Sequence, residues 1–294
     1  MHLSLDNALK SRVFPKGLLD KFSGSAVAYS LRKLSNVFTG FGVEARRSGD
    51  NTEANVSLPV NADSSITVSS GSSLATTFGG FVTEGGNKDA FIDTWYDQSG
   101  NARNATQSNS LYQPKIADSG TVNDDLDFDG TDDTFPIDVG SSPATFSIFF
   151  VAEVEAFTGS ARIFQFGTGN TSTFTLRSDN GDGTYEVEAF IRTSGTNGRY
   201  RWDIPANQTG VFSAIFDYSN FEIDLYLNGS LLTRTDAVVP TGTWTVPTGN
   251  FLNISGPGVF LNSSFKELIF YPSDQSANRT AIEDDINSYY AIYS

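Results

Sequence analysis

Trp95-Tyr96-Asp97-Gln98-Ser99-Gly100-Asn101, followed by Ala105-Thr106-Gln107 and Gln113-Pro114, is the stretch from which the fold of this chain is read. A companion precedes it, Ala28-Tyr29-Ser30-Leu31-Arg32 leading into Ala45-Arg46-Arg47-Ser48-Gly49-Asp50-Asn51. Short polar side chains packed around a glycine hydrogen-bond nearby backbone N–H groups and fix loops. Asp97 and Gln98 are therefore expected as buried loop anchors rather than ligand groups. Arg46 and Arg47, close to Asp50, are expected to anchor their own loop in the same way.

Working outward, the pattern is β from about residue 25. Phe146, Ile148, Phe150, Ala152 and Val154 alternate with Ser147, Phe149, Val151 and Glu153, which predicts a central strand with apolar groups on both faces. Phe221, Ile223, Leu225 and Leu227 alternate with Glu222, Asp224, Tyr226 and Asn228, and Asn228-Gly229 supplies the φ > 0 positions of a tight hairpin. Near the C-terminus, Ile282, Ile286, Tyr289 and Tyr290 recur at helical spacing and predict a helix lying on the sandwich. No internal repeat or low-complexity linker divides the chain. The expected organisation is an N-terminal arm, 1–24, and one domain, 25–294.

The 294 residues include 24 Phe and no Cys, so bulky apolar material is plentiful while disulfides, thiol nucleophiles and thiolate metal sites are excluded. His2 is the single histidine, which rules out a Ser-His-Asp triad. Net charge is −15, which disfavours nucleic acid as the main partner. Residues 1–47 run against that balance, with eight Lys/Arg against three acids. The start lacks the basic region and apolar core of a signal peptide, and no stretch has the length of a membrane span. Synthesis in a host cytoplasm without export is the expectation.

The signature, its companion, Phe128-Asp129-Gly130-Thr131-Asp132-Asp133, Tyr226-Leu227-Asn228-Gly229 and Tyr271-Pro272-Ser273-Asp274 together resemble the catalytic β-sandwich of B-type α-L-arabinofuranosidases. The same module occurs, in laminin-G-like and concanavalin-A-like form, in phage virion structural proteins. The resemblance spans about residues 25–294. It implies an all-β, concanavalin-A-like jelly-roll sandwich with a C-terminal helix.

What the resemblance implies for chemistry is mixed. The nucleophile of that family is a Glu on a strand similar to Gly183-Thr184-Tyr185-Glu186-Val187-Glu188-Ala189-Phe190-Ile191, so Glu188 or Glu186 would hold the position, a solvated surface pair being the alternative. A retaining glycosidase needs a second carboxyl group about 5 Å away. The family's proton donor is an Asp after a Gly-Gly pair, and the corresponding Asn253-Ile254-Ser255-Gly256-Pro257-Gly258-Val259 contains no acid. The family's adjacent cysteines are also missing near Ala161-Arg162-Ile163.

No catalytic residue is therefore assigned outright. The chain is expected to be a non-catalytic virion structural protein of a tailed phage, located in the particle as a tail, fibre or capsid-surface component. It would dock on other virion proteins through the basic arm, in many copies, and its body would bind host glycans. An active α-L-arabinofuranosidase is the alternative. Tyr200 and Trp202 are the candidate sugar-stacking residues. No cofactor is required, although two acidic loops have the oxygen-rich composition that calcium uses: Asn123-Asp124-Asp125-Leu126-Asp127 with Asp129, Asp132 and Asp133, and Asp179-Asn180-Gly181-Asp182-Gly183.

Overall fold

The structure is a computed structural model, and its described residues are 16–60, 65–154, 160–168, 172–177, 184–205, 207–256 and 259–294. After a helical turn α1 (Leu18–Lys21) come β1 (Val27–Ser30), β2 (Val43–Arg47), β3 (Glu53–Val56) and β4 (Val68–Ser69). A short helix α2 (Phe78–Thr83) leads to β5 (Ala90–Trp95), β6 (Ala105–Thr106), β7 (Lys115–Asp118), β8 (Thr121–Asp129) and β9 (Phe135–Asp138). The central strands are β10 (Thr145–Val154), β11 (Ser160–Thr168), β12 (Thr173–Arg177), β13 (Thr184–Ile191), β14 (Gly198–Pro205) and β15 (Gln208–Asp217). The chain closes with β16 (Glu222–Leu227), β17 (Ser230–Leu231), β18 (Arg234–Val238), β19 (Thr248–Ile254), β20 (Asn262–Tyr271) and helix α3 (Arg279–Tyr290).

These strands form two antiparallel sheets. The larger runs β17-β16-β15-β10-β20-β8-β7-β5-β2-β3-β4, with β1 added on β20 and β6 on β5; the smaller runs β18-β14-β13-β12-β11-β19-β9. Between them lies one aromatic-rich core. Phe150 stacks on Phe212 at 4.8 Å and Phe146 on Phe216 at 4.5 Å, both across the β10–β15 pair. Large flat rings fill the gap between sheets with few side chains, so most of the Phe content is spent here.

The reading of Phe146–Val154 as a strand apolar on both faces holds for a specific reason. Phe149 and Val151 point away from the aromatic core into a second cluster with Leu18, Leu19, Ala28, Leu34, Val211, Ile269, Tyr271, Ile282 and Ile286. Thus α1 and α3 cover part of the outer face of the larger sheet. Within the stripe expected of the C-terminal helix, Ile282 and Ile286 are fully buried while Tyr289 is 48% exposed. Of the segment set apart as an arm, residues 1–15 lie outside the described residues. Residues 18 and 19 are buried against the body, and Lys21 pairs with Asp285 of α3 at 2.6 Å. The hairpin turn is as expected, with Asn228 at φ 51° and Gly229 at φ 79°.

The signature works as an anchor. The buried Asp97 carboxylate accepts from the Ala28 and Ser99 backbone N–H groups at 2.9 Å each, from Arg103 N–H at 3.1 Å and from the Ser99 hydroxyl at 2.7 Å. Gln98, also buried, accepts from Leu34 N–H at 2.8 Å and donates to the Ser30 and Arg32 carbonyls at 3.1 and 2.9 Å. Two adjacent side chains therefore satisfy the backbone of β1 and of the segment after it. Next to them Arg32 makes paired bonds to the fully buried Glu267 at 2.7 and 3.0 Å and reaches Asp285 at 3.0 Å, tying β1 to β20 and α3. Arg47 bridges Asp50 and Glu84, each at 2.7 Å, and is the loop anchor expected of it.

Asp97→Ala leaves four donors without their acceptor, so it is expected to lower stability by about 2–4 kcal/mol, and Gln98→Ala by a similar amount. Urea unfolding followed by fluorescence measures this. A loss below about 0.5 kcal/mol in both variants would show that water replaces these bonds at no cost.

Candidate functional site

Strand β13 alternates strictly. Tyr185, Val187, Ala189 and Ile191 face the core, which turns Glu186, Glu188 and Phe190 to the outer face of the smaller sheet. Pairing registers then line up a single row across five strands: Arg162 on β11, Thr175 on β12, Glu188 on β13, Arg201 on β14 and Asp236 on β18. The neighbouring row is Gln165, Thr173, Phe190, Arg199 and Val238.

Within these rows the charges interlock. Arg201 Nε donates to Glu188 at 2.8 Å, and Arg199 Nη2 donates to Asp236 at 2.7 Å. Cross contacts of 3.8 Å (Arg199 to Glu188), 3.5 Å (Arg201 to Asp236) and 4.0 Å (Arg201 to Glu186) complete the lattice. Arg162 donates to Gln165 at 3.0 Å at the other end. The face offers alternating acceptors and donors around one partly exposed aromatic ring, Phe190. That combination suits a ligand that is flat on one side and carries many hydroxyl groups.

The structure places the sequence candidates unequally. Glu186 and Glu188 come together on this face, as their spacing of two requires. Tyr200 and Trp202 do not join them. They are 2% and 1% exposed, point into the core, and Tyr200 O–H donates to the Phe221 carbonyl at 2.7 Å. This corrects the expectation that they stack on sugar: on β14 the inward parity belongs to Tyr200, Trp202 and Ile204, and the outward parity to Arg199, Arg201 and Asp203. The aromatic that does face outward, Phe190, was legible from the same alternation in β13. Asp236 was not, because nothing in the sequence says that β18 pairs with β14.

Of the two acidic loops, Asp179–Gly183 lies outside the described residues. In the other, the carboxylates of Asp129, Asp132 and Asp133 converge, one oxygen of each within 4.8 Å of the others. Three such groups are fewer than the six to eight oxygens calcium takes. Asp133 is buried and accepts from Asp129 N–H at 3.0 Å. Burial pushes its carboxyl up to about 7, the Asp129 N–H opposes the shift, and the negative charges of Asp129, Asp132 and Asp127 add to it. Beside this turn, Asp124, Asp125, Asp127, Asp129 and Glu153 line an open groove of about 690 Å³ on the larger sheet. There Lys266 neutralises Asp124 at 2.9 Å.

No protein-family model matches the chain, and no curated protein matches it in sequence. Among solved structures, a GH54 α-L-arabinofuranosidase soaked with a cyclic sulfate inhibitor matches with a TM-score of 0.56 at 13% identity, over 89% of this chain. An arabinofuranosidase complexed with arabinofuranosyl-α-1,2-xylobiose matches with the same figures. This chain spans 62% of the length of each of those enzymes. The likeness shows a shared β-sandwich fold. It lends nothing specific to the virion placement.

The Asp133 carboxyl sits higher in the folded chain than its ordinary 3.8, so the folded state binds the extra proton between about pH 4 and 7. Its cost therefore grows as pH rises through that window and is complete above about 7. Asp133→Asn keeps an acceptor for Asp129 N–H and is expected to be more stable than the parent by about 2–4 kcal/mol at pH 8. The gap should close near pH 4. Thermal unfolding across pH 4–8 measures it, and a gap independent of pH would disprove the assignment.

Proposed function

We propose that this chain is a carbohydrate-binding β-sandwich whose outer face on the smaller sheet holds a saccharide without hydrolysing it. The observation that carries this reading is the row Arg162-Thr175-Glu188-Arg201-Asp236 beside the outward ring of Phe190. Sugar hydroxyls pair with carboxylates and guanidinium groups, and the apolar face of a sugar ring lies on an aromatic side chain. Hydrolysis with retention requires a proton-donating carboxyl about 5 Å from the nucleophile. The segment 253–259, where the resemblance puts that donor, carries no acid.

Hydrolysis is the second reading, favoured by the fold likeness to arabinofuranosidases and by the outward placement of Glu188 on that face. The virion placement is a further proposal, with residues 1–15 as the assembly segment, since Leu18 and Leu19 are committed to the body. Removing residues 1–15 is then expected to leave thermal stability unchanged and to abolish incorporation into a particle.

Binding to arabinan and arabinoxylan oligosaccharides, and to a wider glycan panel, tests the main reading by calorimetry. Phe190→Ala is expected to weaken binding by about 3–10-fold, a stacking contribution of about 0.5–1.5 kcal/mol. Arg201→Ala should weaken it further. Turnover of 4-nitrophenyl α-L-arabinofuranoside that vanishes in Glu188→Gln would instead establish the enzyme.

A further inference from the structure

The outer face of the larger sheet carries a constellation that neither the saccharide face nor the signature's anchoring role uses. Strands β2 and β3 turn Glu44 and Asn55 outward as cross-strand partners, their neighbours Val43, Ala45, Ala54 and Val56 being buried. Tyr96 follows β5, with its N–H bonded to the Gly42 carbonyl at 3.0 Å and its hydroxyl donating to Asn55 Oδ1 at 2.5 Å. The Phe41 ring stands 6.5 Å from the Tyr96 ring, tilted by 48°, and is 36% exposed. An exposed ring, Phe41, thus lies against Tyr96, whose hydroxyl reaches the outward Asn55 opposite Glu44.

The carboxylates of this corner outnumber its cation, Arg46, on which the charges of Asp93 and Glu53 act. Glu44, Glu53 and Asp93 make no ion pair among the described residues. Arg46, the cross-strand partner of Glu53, directs its hydrogen bonds to neutral groups. Arg46 donates to Gln113 Oε1 at 2.6 Å, Asn51 Oδ1 at 3.0 Å and the Ser110 carbonyl at 3.2 Å, and its guanidinium lies over Phe91 at 5.1 Å. Burial, followed by the charges of Glu53 and Asp93, raises the Glu44 carboxyl. Burial, followed by Glu44 and Asp93, raises the Tyr96 hydroxyl. Both shifts have burial as their first cause and the neighbouring carboxylates as their second.

We propose that the outward surface formed by Phe41, Tyr96 and Glu44 receives a lysine or arginine side chain of a protein partner. An aromatic face attracts a cation through its quadrupole, and a carboxylate at its edge fixes the charged head. The net charge of −15 would draw a basic partner toward the chain from a distance. This assignment is independent of the saccharide reading, because it uses other residues on the other sheet.

The test is titration of the full chain with oligolysine and oligoarginine peptides, followed by amide chemical shifts. Shifts are expected at residues 41–44, 55 and 93–96, with affinity falling as salt rises. Glu44→Gln should weaken binding at least tenfold and Phe41→Ala by about 3–10-fold. The double variant Asp125→Asn/Asp127→Asn, in the acidic groove, should leave it unchanged. Equal binding by Glu44→Gln, or shifts confined to residues 123–129, would overturn the proposal. So would glucosamine or spermidine binding as tightly as the peptides, since the site would then select an amine rather than a protein side chain.

Discussion

The buried carboxylate of Asp97 is the constraint from which the rest of the structure follows. A carboxylate removed from water is tolerated only when its oxygens are filled, and here four protein donors fill them. In filling them it holds the start of β1 against the loop after β5. Gln98 then secures the next backbone groups through residue 34. With β1 fixed, its partner β20 is fixed, and β20 is the strand that also pairs β10 and β8 in the middle of the larger sheet.

From that centre the two faces of the larger sheet acquire different fates. Its inner face meets the smaller sheet across stacked phenylalanines. Its outer face is split. Under α1 and α3 it is apolar and closed, and Arg32, Glu267 and Asp285 bind the helix edge to the sheet. Elsewhere it is polar, and there lie both the groove around Asp125 and the outward Glu44. A buried ion pair such as Arg32–Glu267 contributes less to stability than its distances suggest, because both groups lose their hydration. Its effect is on register, since a shifted β1 would strand one charge without the other.

The smaller sheet differs in having an outer face that is charged but internally neutralised. Each guanidinium of Arg199 and Arg201 contacts carboxylates on two neighbouring strands, so the lattice holds its shape without a ligand. A preformed lattice loses little side-chain freedom when a ligand arrives. The same lattice holds Glu188 against Arg201 at 2.8 Å.

Much of this was determined by the sequence alone. Alternation in residues 146–154 and 221–227, the Asn228-Gly229 turn and the signature around Asp97 follow from local chemistry: side-chain period, positive φ and short-range hydrogen bonding. They set the class of fold, the loop anchors and the shared face of Glu186 and Glu188. Which face of a strand is inside is not a local property. Tyr200 and Trp202 alternate with charges in a pattern that reads equally as a stacking platform or as core, and only the second sheet behind β14 decides for core. Likewise, Leu18 and Leu19 look like part of a detached arm until α3 arrives, some 260 residues later in the chain, to cover them. Pairing of β18 with β14, and with it the place of Asp236 beside Arg201, depends on contacts between residues distant in sequence. Only the tertiary structure could decide those, because the free energy that selects them comes from burial shared among strands rather than from any one segment.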